Sequence, residues 1–218
     1  MTHKQFWQDP YQTRLQTRIT SVNGALVTLE STIFYALSGG QESDSGTIGG
    51  HIVLQASKAD HDIVYTLSDN HGLNAGDSVQ VEIDWERRYR LMKLHFAAEI
   101  ILELIYQRLG PVQKIGAHIA ADKARIDFEW PQSIAGEFAW LLEQANTIIA
   151  SNQVILSAWS DEAAQRRYWK IAEFGEVPCG GTHLHRTGEI GAIALKRKNI
   201  GKGKERVEIY LDTCSPDS

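Results

Sequence analysis

Cysteine is scarce: among 218 residues only Cys179 and Cys214 carry thiols. They lie in unlike settings, PCGGTH and DTCSPDS, so a disulfide framework is not expected and a reducing compartment is. No apolar run is long enough to span a bilayer as a helix. The N-terminus also lacks the basic start, apolar stretch and small-residue cleavage site of a secretory signal. The expectation is a cytoplasmic protein with no membrane partner. Positive charge is not in excess either, with Lys and Arg at 22 against Asp and Glu at 27 and a net charge of −5. The whole molecule therefore does not draw nucleic acid to itself, and any such contact must come from local patches. A phosphate-binding loop motif is missing, so no nucleotide cofactor is expected.

What is present falls into two parts. From residue 16 to 84, short runs such as ALVTLES, HIVLQAS, DIVYTLS and SVQVEIDW alternate with Gly, Asn and Asp turn signals, which predicts strands. Asn23-Gly24 suits a tight hairpin. Residues 1–85 are read as a small β-barrel-like or sandwich domain. Beyond Trp85 the period changes. Leu91, Leu94, Ala98, Ile101, Leu102, Ile105 and Leu109 recur at three and four residues and Gly110-Pro111 closes the run, predicting a helix. A second helix is predicted from Ser133 as its cap through Ile149, and a third near Ser160. ARIDFEW, QVILSAW, IGAIALKRK and ERVEIYL read as strands, so residues 86–218 are expected to form an α+β domain.

The segment PCGGTHLHRTGEIG places Cys179 and His183 around two glycines that let the backbone curl. Thiolate and imidazole suit zinc, but two ligands do not fill a tetrahedral site, and a tight turn containing both residues is the plain alternative. The predicted helix supplies His95 and, one turn on, Glu99, on an otherwise apolar face. Read alone these are a satisfied polar pair at the core edge; read with Cys179 and His183 they complete a shared metal site. His51, His61 and His71 have no ligand spacing and are expected on the surface. Trp130, Trp140 and Trp159 fall on apolar patterns and read as core.

With those segments in view, the chain resembles the freestanding alanyl-tRNA editing proteins, often called AlaX, and the editing domain of alanyl-tRNA synthetase. The resemblance rests on FYALSGGQESDSGTI, RRYRLMKLHFAAEIILELI, PCGGTHLHRTGEIG and GKGKERVEIY, in that order across nearly the whole length. It implies a β-barrel-like N-terminal domain before an α+β sandwich editing domain of the threonyl/alanyl-tRNA synthetase type. The resemblance also implies one zinc ion, and hydrolysis of the ester in alanine tRNA mischarged with serine or glycine. The partner would be misacylated alanine tRNA; a monomer and a homodimer both remain open. A complete synthetase is excluded by size.

By position His95, Cys179 and His183 match the family's ligands. Glu99 stands where the family usually has histidine. It is therefore read as a fourth ligand, as a general base beside an open position, as a group orienting His95, or as the sign of a degenerate site with little or no metal. A site closed by four ligands would instead make a non-catalytic, zinc-stabilised RNA-binding module, and a metal hydrolase of another ester is the remaining alternative. Iron or cobalt would also suit the donors. LSGGQESDSG resembles the family's Gly-rich motif, which brings Ser38, Gly39, Gly40, Gln41 and Asp44 forward as substrate neighbours, Gln41 first. Selecting serine over alanine calls for a hydroxyl in the pocket, and Thr182 and Thr32 are the candidates.

Two basic stretches stand against the acidic total. KRKNIGKGKER, with Lys198, Lys202, Lys204 and Arg206, is the stronger RNA candidate, since its glycines let the backbone approach phosphates. ERRYRLMK is the weaker.

Overall fold

The computed structural model describes residues 1–201 and 203–212. Lys202 and Cys214 lie outside the described residues. The chain divides into two compact units, Met1–Tyr89 and Arg90 onward.

The first unit is built from nine strands: β1 (His3–Lys4), β2 (Arg14–Asn23), β3 (Leu26–Leu29), β4 (Ser31–Thr32), β5 (Gly46–Ile48), β6 (His51–Ile52), β7 (Gln55–Ala59), β8 (Asp62–Thr66) and β9 (Ser78–Ile83). Seven of them form one antiparallel sheet in the order β6-β5-β9-β2-β3-β8-β7. Strand β2 is shared along its length. Its first half pairs with β9 and its second with β3, with a register shift between Ile19 and Ser21, so the sheet curls there. The outermost strands β6 and β7 are consecutive in the chain. Between them Val53 N donates to Gly46 O at 3.0 Å and Leu54 N to Thr66 O at 2.9 Å, so this link ties one end of the strand order to the other. Asn23 pairs with Leu26 across the expected turn, with Gly24 at a φ of 57° that suits glycine. The concave face buries Val27, Leu29, Phe34, Ile48, Tyr65 and Val81.

Helix α1 (Trp85–Leu109) begins on Asp84, whose carboxylate accepts from Arg87 N at 3.1 Å. Its first turn explains why the stretch ERRYRLMK is not a free cationic patch. Arg87 reaches Glu42 at 2.7 Å, and Arg90 Nε donates to Ala121 O at 2.9 Å. The Arg88 and Asp44 side chains are wholly buried and form an ion pair, and Arg88 also donates to Ile33 O at 2.6 Å and Pro10 O at 2.9 Å. Removing one side of a buried pair strands the other charge. Arg88→Ala is therefore expected to cost about 3–5 kcal/mol, read as a lower denaturant midpoint. An unchanged midpoint would show that Asp44 finds other compensation.

In the second unit, α1 is buried around most of its girth, with Met92, Phe96, Ala97, Ile100 and Leu104 joining the expected Leu91, Leu94, Ala98, Ile101 and Ile105. Strands β10 (Lys114–Ile119), β11 (Ala124–Glu129), β15 (Ile193–Gly201) and β16 (Lys204–Leu211) make an antiparallel sheet in the order β10-β11-β16-β15. Helix α2 (Phe138–Ala150) lies against β15 and follows a 3-10 turn, Ile134–Glu137, that Ser133 caps by accepting from Ala135 N. A second antiparallel sheet runs β12-β13-β14: β12 (Leu156–Asp161), β13 (Arg166–Ile171), β14 (Gly175–Pro178).

Three expectations change here. The helix predicted near Ser160 is instead the β12–β13 hairpin, closed by Asp161 accepting from Ala164 N and by Gln165 at a φ of 52°. Trp130, Trp140 and Trp159 are half-buried rather than core. Trp140 and Trp159 each carry an arginine over the ring, at 5.2 Å, from Arg108 and Arg167. Among the described tryptophans Trp169 alone is fully buried. His71 is also buried, bonded to Gly24 O and Leu73 N, not on the surface. Among the described residues no helix is long and apolar enough to cross a membrane.

Candidate metal centre

Helix α1 and the loop after β14 bring His95, Cys179 and His183 together. One donor atom from each lies within 4.8 Å of the others. Cys179 Sγ is the hub, 3.3 Å from His95 Nε2 and 3.3 Å from His183 Nε2. Bonds of about 2.3 Å to sulfur and about 2.0 Å to nitrogen around a tetrahedral ion put those donors about 3.5 Å apart. The separation and the donor chemistry therefore fit one small soft-to-borderline ion, and the cluster can hold one.

The sheet β12-β13-β14 forms the wall behind this cluster. Cys179 N donates to Arg167 O at 2.9 Å, which carries the β13–β14 ladder one residue past Pro178 and sets Cys179 opposite Arg167. Directly opposed residues of an antiparallel pair share a face. Trp159, Arg167 and Cys179 thus form one row, and Ser157, Trp169 and Val177 the next. His183 Nδ1 pairs with Ser157 Oγ at 2.8 Å while its Nε2 meets Cys179, so the imidazole is laid across the face of β13 with its ligand nitrogen turned to the thiolate.

Glu99 stands beside the cluster. Its Oε2 accepts the Trp169 indole N–H at 2.8 Å, which turns Oε1 to within 3.3 Å of His95 Nε2 and 3.8 Å of Cys179 Sγ. Sequence reasoning paired His95 with Glu99 but missed Ser157, Arg167 and Trp169. The available signal was RRYWKI, whose Arg167, Trp169 and Ile171 alternate as a half-buried strand does.

Charge is concentrated here. Burial alone would push the Cys179 thiol up, but the two imidazoles and their hydrogen bonds outweigh it and bring it down to about 6. Burial would pull His95 down, yet the Cys179 thiolate and Glu99 raise it to about 10. Glu99, despite its burial, is held at about 2 by His95, by the Trp169 hydrogen bond and by His183. Between about pH 6 and pH 10 the ion-free cluster is thus a thiolate beside an imidazolium. A bound cation must displace the His95 proton, so affinity is expected to rise about tenfold per pH unit in that window. Competition against a chelating dye at several pH values checks this slope; a flat profile would remove the imidazolium from the account.

The other expected positions are divided between the two units. In the first unit Ser38 and Gln41 exchange main-chain hydrogen bonds of 3.2 and 3.0 Å around Gly39 and Gly40, whose φ values of 60° and 88° make a two-residue primed turn. Side-chain space around Gly39 is open, and Gln41 is buried. Asp44, expected beside substrate, has its carboxylate taken up by Arg88 and by Tyr35 N, which makes it an internal counter-ion. Thr32 is fully buried, with its hydroxyl on Tyr65 Oη at 2.7 Å and accepting from Phe34 N at 3.0 Å. Thr182 is buried within the ligand loop. Lys198 and Lys204 are exposed on the β15–β16 hairpin. Arg206 is held by Asp127 at 2.6 and 2.9 Å, so its charge is already countered.

Residues 170–208 match the family described as threonyl and alanyl tRNA synthetase second additional domain. Across almost its whole length the chain is 32% identical, over 216 residues, to the alanyl-tRNA editing protein AlaX-M of Pyrococcus horikoshii, covering 97% of this chain and 99% of that one. The chain belongs to the alanyl-tRNA editing protein family. AlaX-M of Methanosarcina mazei is 31% identical over 244 residues, with 97% of each chain covered. The alanine–tRNA ligase of Methanococcus aeolicus is 32% identical over 230 residues, but the matched region is 25% of the ligase. The match therefore spans the whole of the editing proteins and only a quarter of the ligase.

Proposed function

We propose that the protein is a cytoplasmic trans-editing hydrolase that deacylates mischarged alanine tRNA, seryl-tRNA first and glycyl-tRNA second. The observation that carries this reading is the Cys179–His95–His183 cluster with the Glu99 carboxylate turned toward it, in a chain matched end to end by alanyl-tRNA editing proteins. The donor set favours zinc, as one thiolate and two imidazoles suit a borderline ion. Such an ion supplies positive charge that polarises the ester carbonyl.

The protein's own residues supply the rest. Glu99 Oε1, ionised and aimed by Trp169, accepts a proton from the attacking water and returns it to the departing ribose oxygen. Ser157 fixes the orientation of His183. Thr182 is the favoured hydroxyl for recognising serine, since a site that hydrogen-bonds a substrate hydroxyl penalises its absence; Thr32 is the other candidate. The Ser38–Gln41 turn and the exposed Lys198 and Lys204 are read as RNA contacts, through the Gly39 and Gly40 backbone and through salt-dependent charge. The curled sheet of the first unit is read as a small barrel joined through Val53 and Leu54.

The deciding assay is serine release from seryl-tRNA for alanine, with alanyl-tRNA as the internal comparison. Faster release of serine supports the reading, and release no faster than spontaneous hydrolysis rejects it. One observation favours a rival: Glu99 Oε1, at 3.3 and 3.8 Å from two donors, is also within reach of a fourth ligand position, and four ligands would make a closed structural site.

A further inference from the structure

Arg167 is a buried cation with no part in the steps above. It is among the most buried charged residues, 7% exposed, on the same face of β13 as Trp169. Its guanidinium lies over the Trp159 ring at 5.2 Å, and its backbone opposes Cys179. His183 reaches across that face from Ser157 on β12 to Cys179 beyond β14. The donor cluster is thus spread over the strand from which Arg167 projects, one row out from Trp169. A cation this far removed from water gains most where negative charge appears during a reaction.

We propose that Arg167 is a catalytic residue of the ester hydrolysis, donating to the substrate's carbonyl oxygen as negative charge develops on it. The inference rests on the deacylase reading above. In the first step the water oxygen bonds the carbonyl carbon, a water proton passes to Glu99, and the carbonyl π pair moves onto the oxygen beside Arg167. In the second step that pair re-forms the carbonyl and the bond to the ribose oxygen breaks. The ribose oxygen leaves with the bonding pair and takes the proton from Glu99. The products are the free amino acid and a tRNA with its terminal hydroxyl restored. The planar fork of arginine holds such an oxygen directionally, and Trp159 limits the orientations the fork can take.

The test compares wild type, Arg167→Gln, Arg167→Lys and Arg167→Ala, all metal-loaded, in steady-state hydrolysis of seryl-tRNA for alanine. Arg167→Gln is expected to lower kcat by about 10²–10³-fold with KM within about threefold and metal content unchanged. Arg167→Lys keeps the charge without the fork and should lose about tenfold. Free guanidinium should restore part of the Arg167→Ala loss, a rescue that a purely structural role would not show. A defect confined to KM, a parallel loss of metal, or wild-type kcat in Arg167→Gln overturns the inference. Should Arg167→Gln fail to fold, an unchanged kcat in Arg167→Lys does so instead. If wild type itself releases no serine, the deacylase reading fails and takes this inference with it; if wild type is active and the variants match it, only the role of Arg167 falls.

Discussion

Cys179→Ala is expected to lower metal affinity by more than about 100-fold and to remove serine release with it. Groups that merely orient ligands are worth about 10–100-fold in affinity, and Cys179 is the hub that both imidazoles contact at 3.3 Å. It is also the anion that raises His95, so its loss removes the charge that organises the ion-free cluster. Folding should suffer little, since Cys179 is only half-buried and the main-chain bond to Arg167 O does not depend on its side chain. Metal content by elemental analysis, set beside a thermal melt of the ion-free proteins, separates the two effects. Retained metal would mean that the ligand set is misassigned.

Glu99→Gln separates catalysis from ligation. The amide keeps the shape and can still accept from the Trp169 indole, while losing the charge and the ability to take a proton. General bases typically contribute about 10²–10⁴-fold, and a carboxylate held at about 2 is a weak base at neutral pH. The lower end follows: a fall of about 100-fold in kcat with metal affinity changed by less than about tenfold. A collapse of metal affinity instead would make Glu99 a ligand and favour the closed, non-catalytic site.

The parts of this site that were legible in the sequence are those carried by short-range spacing. His95 and Glu99 are one helical turn apart, and Cys179 and His183 share one loop, so pattern alone exposed both pairs. That the pairs meet came from the family resemblance, because the 84 residues separating His95 from Cys179 leave no local trace. The orientation of Glu99 was invisible for the same reason, since it depends on Trp169, 70 residues away. Sequence reasoning placed Asp44 beside the substrate and Arg88 in a basic stretch, and nothing local shows that the fold buries the two against one another. The residues after Trp159, SDEAAQRR, have a helix-forming composition that the ladder between β12 and β13 overrides.

The alternation along β13 also constrains how the gene can drift. Arg167 and Trp169 face the cluster, while Arg166, Tyr168 and Lys170 face the other way. Inserting or deleting one codon within this strand would turn its inward residues outward over the shifted part of the strand. Substitutions at the exposed Arg166, or at Lys170 with its exposed Glu176 pair, leave the wall behind the cluster undisturbed. The length of this strand should therefore be far less negotiable over generations than the letters on its outer side.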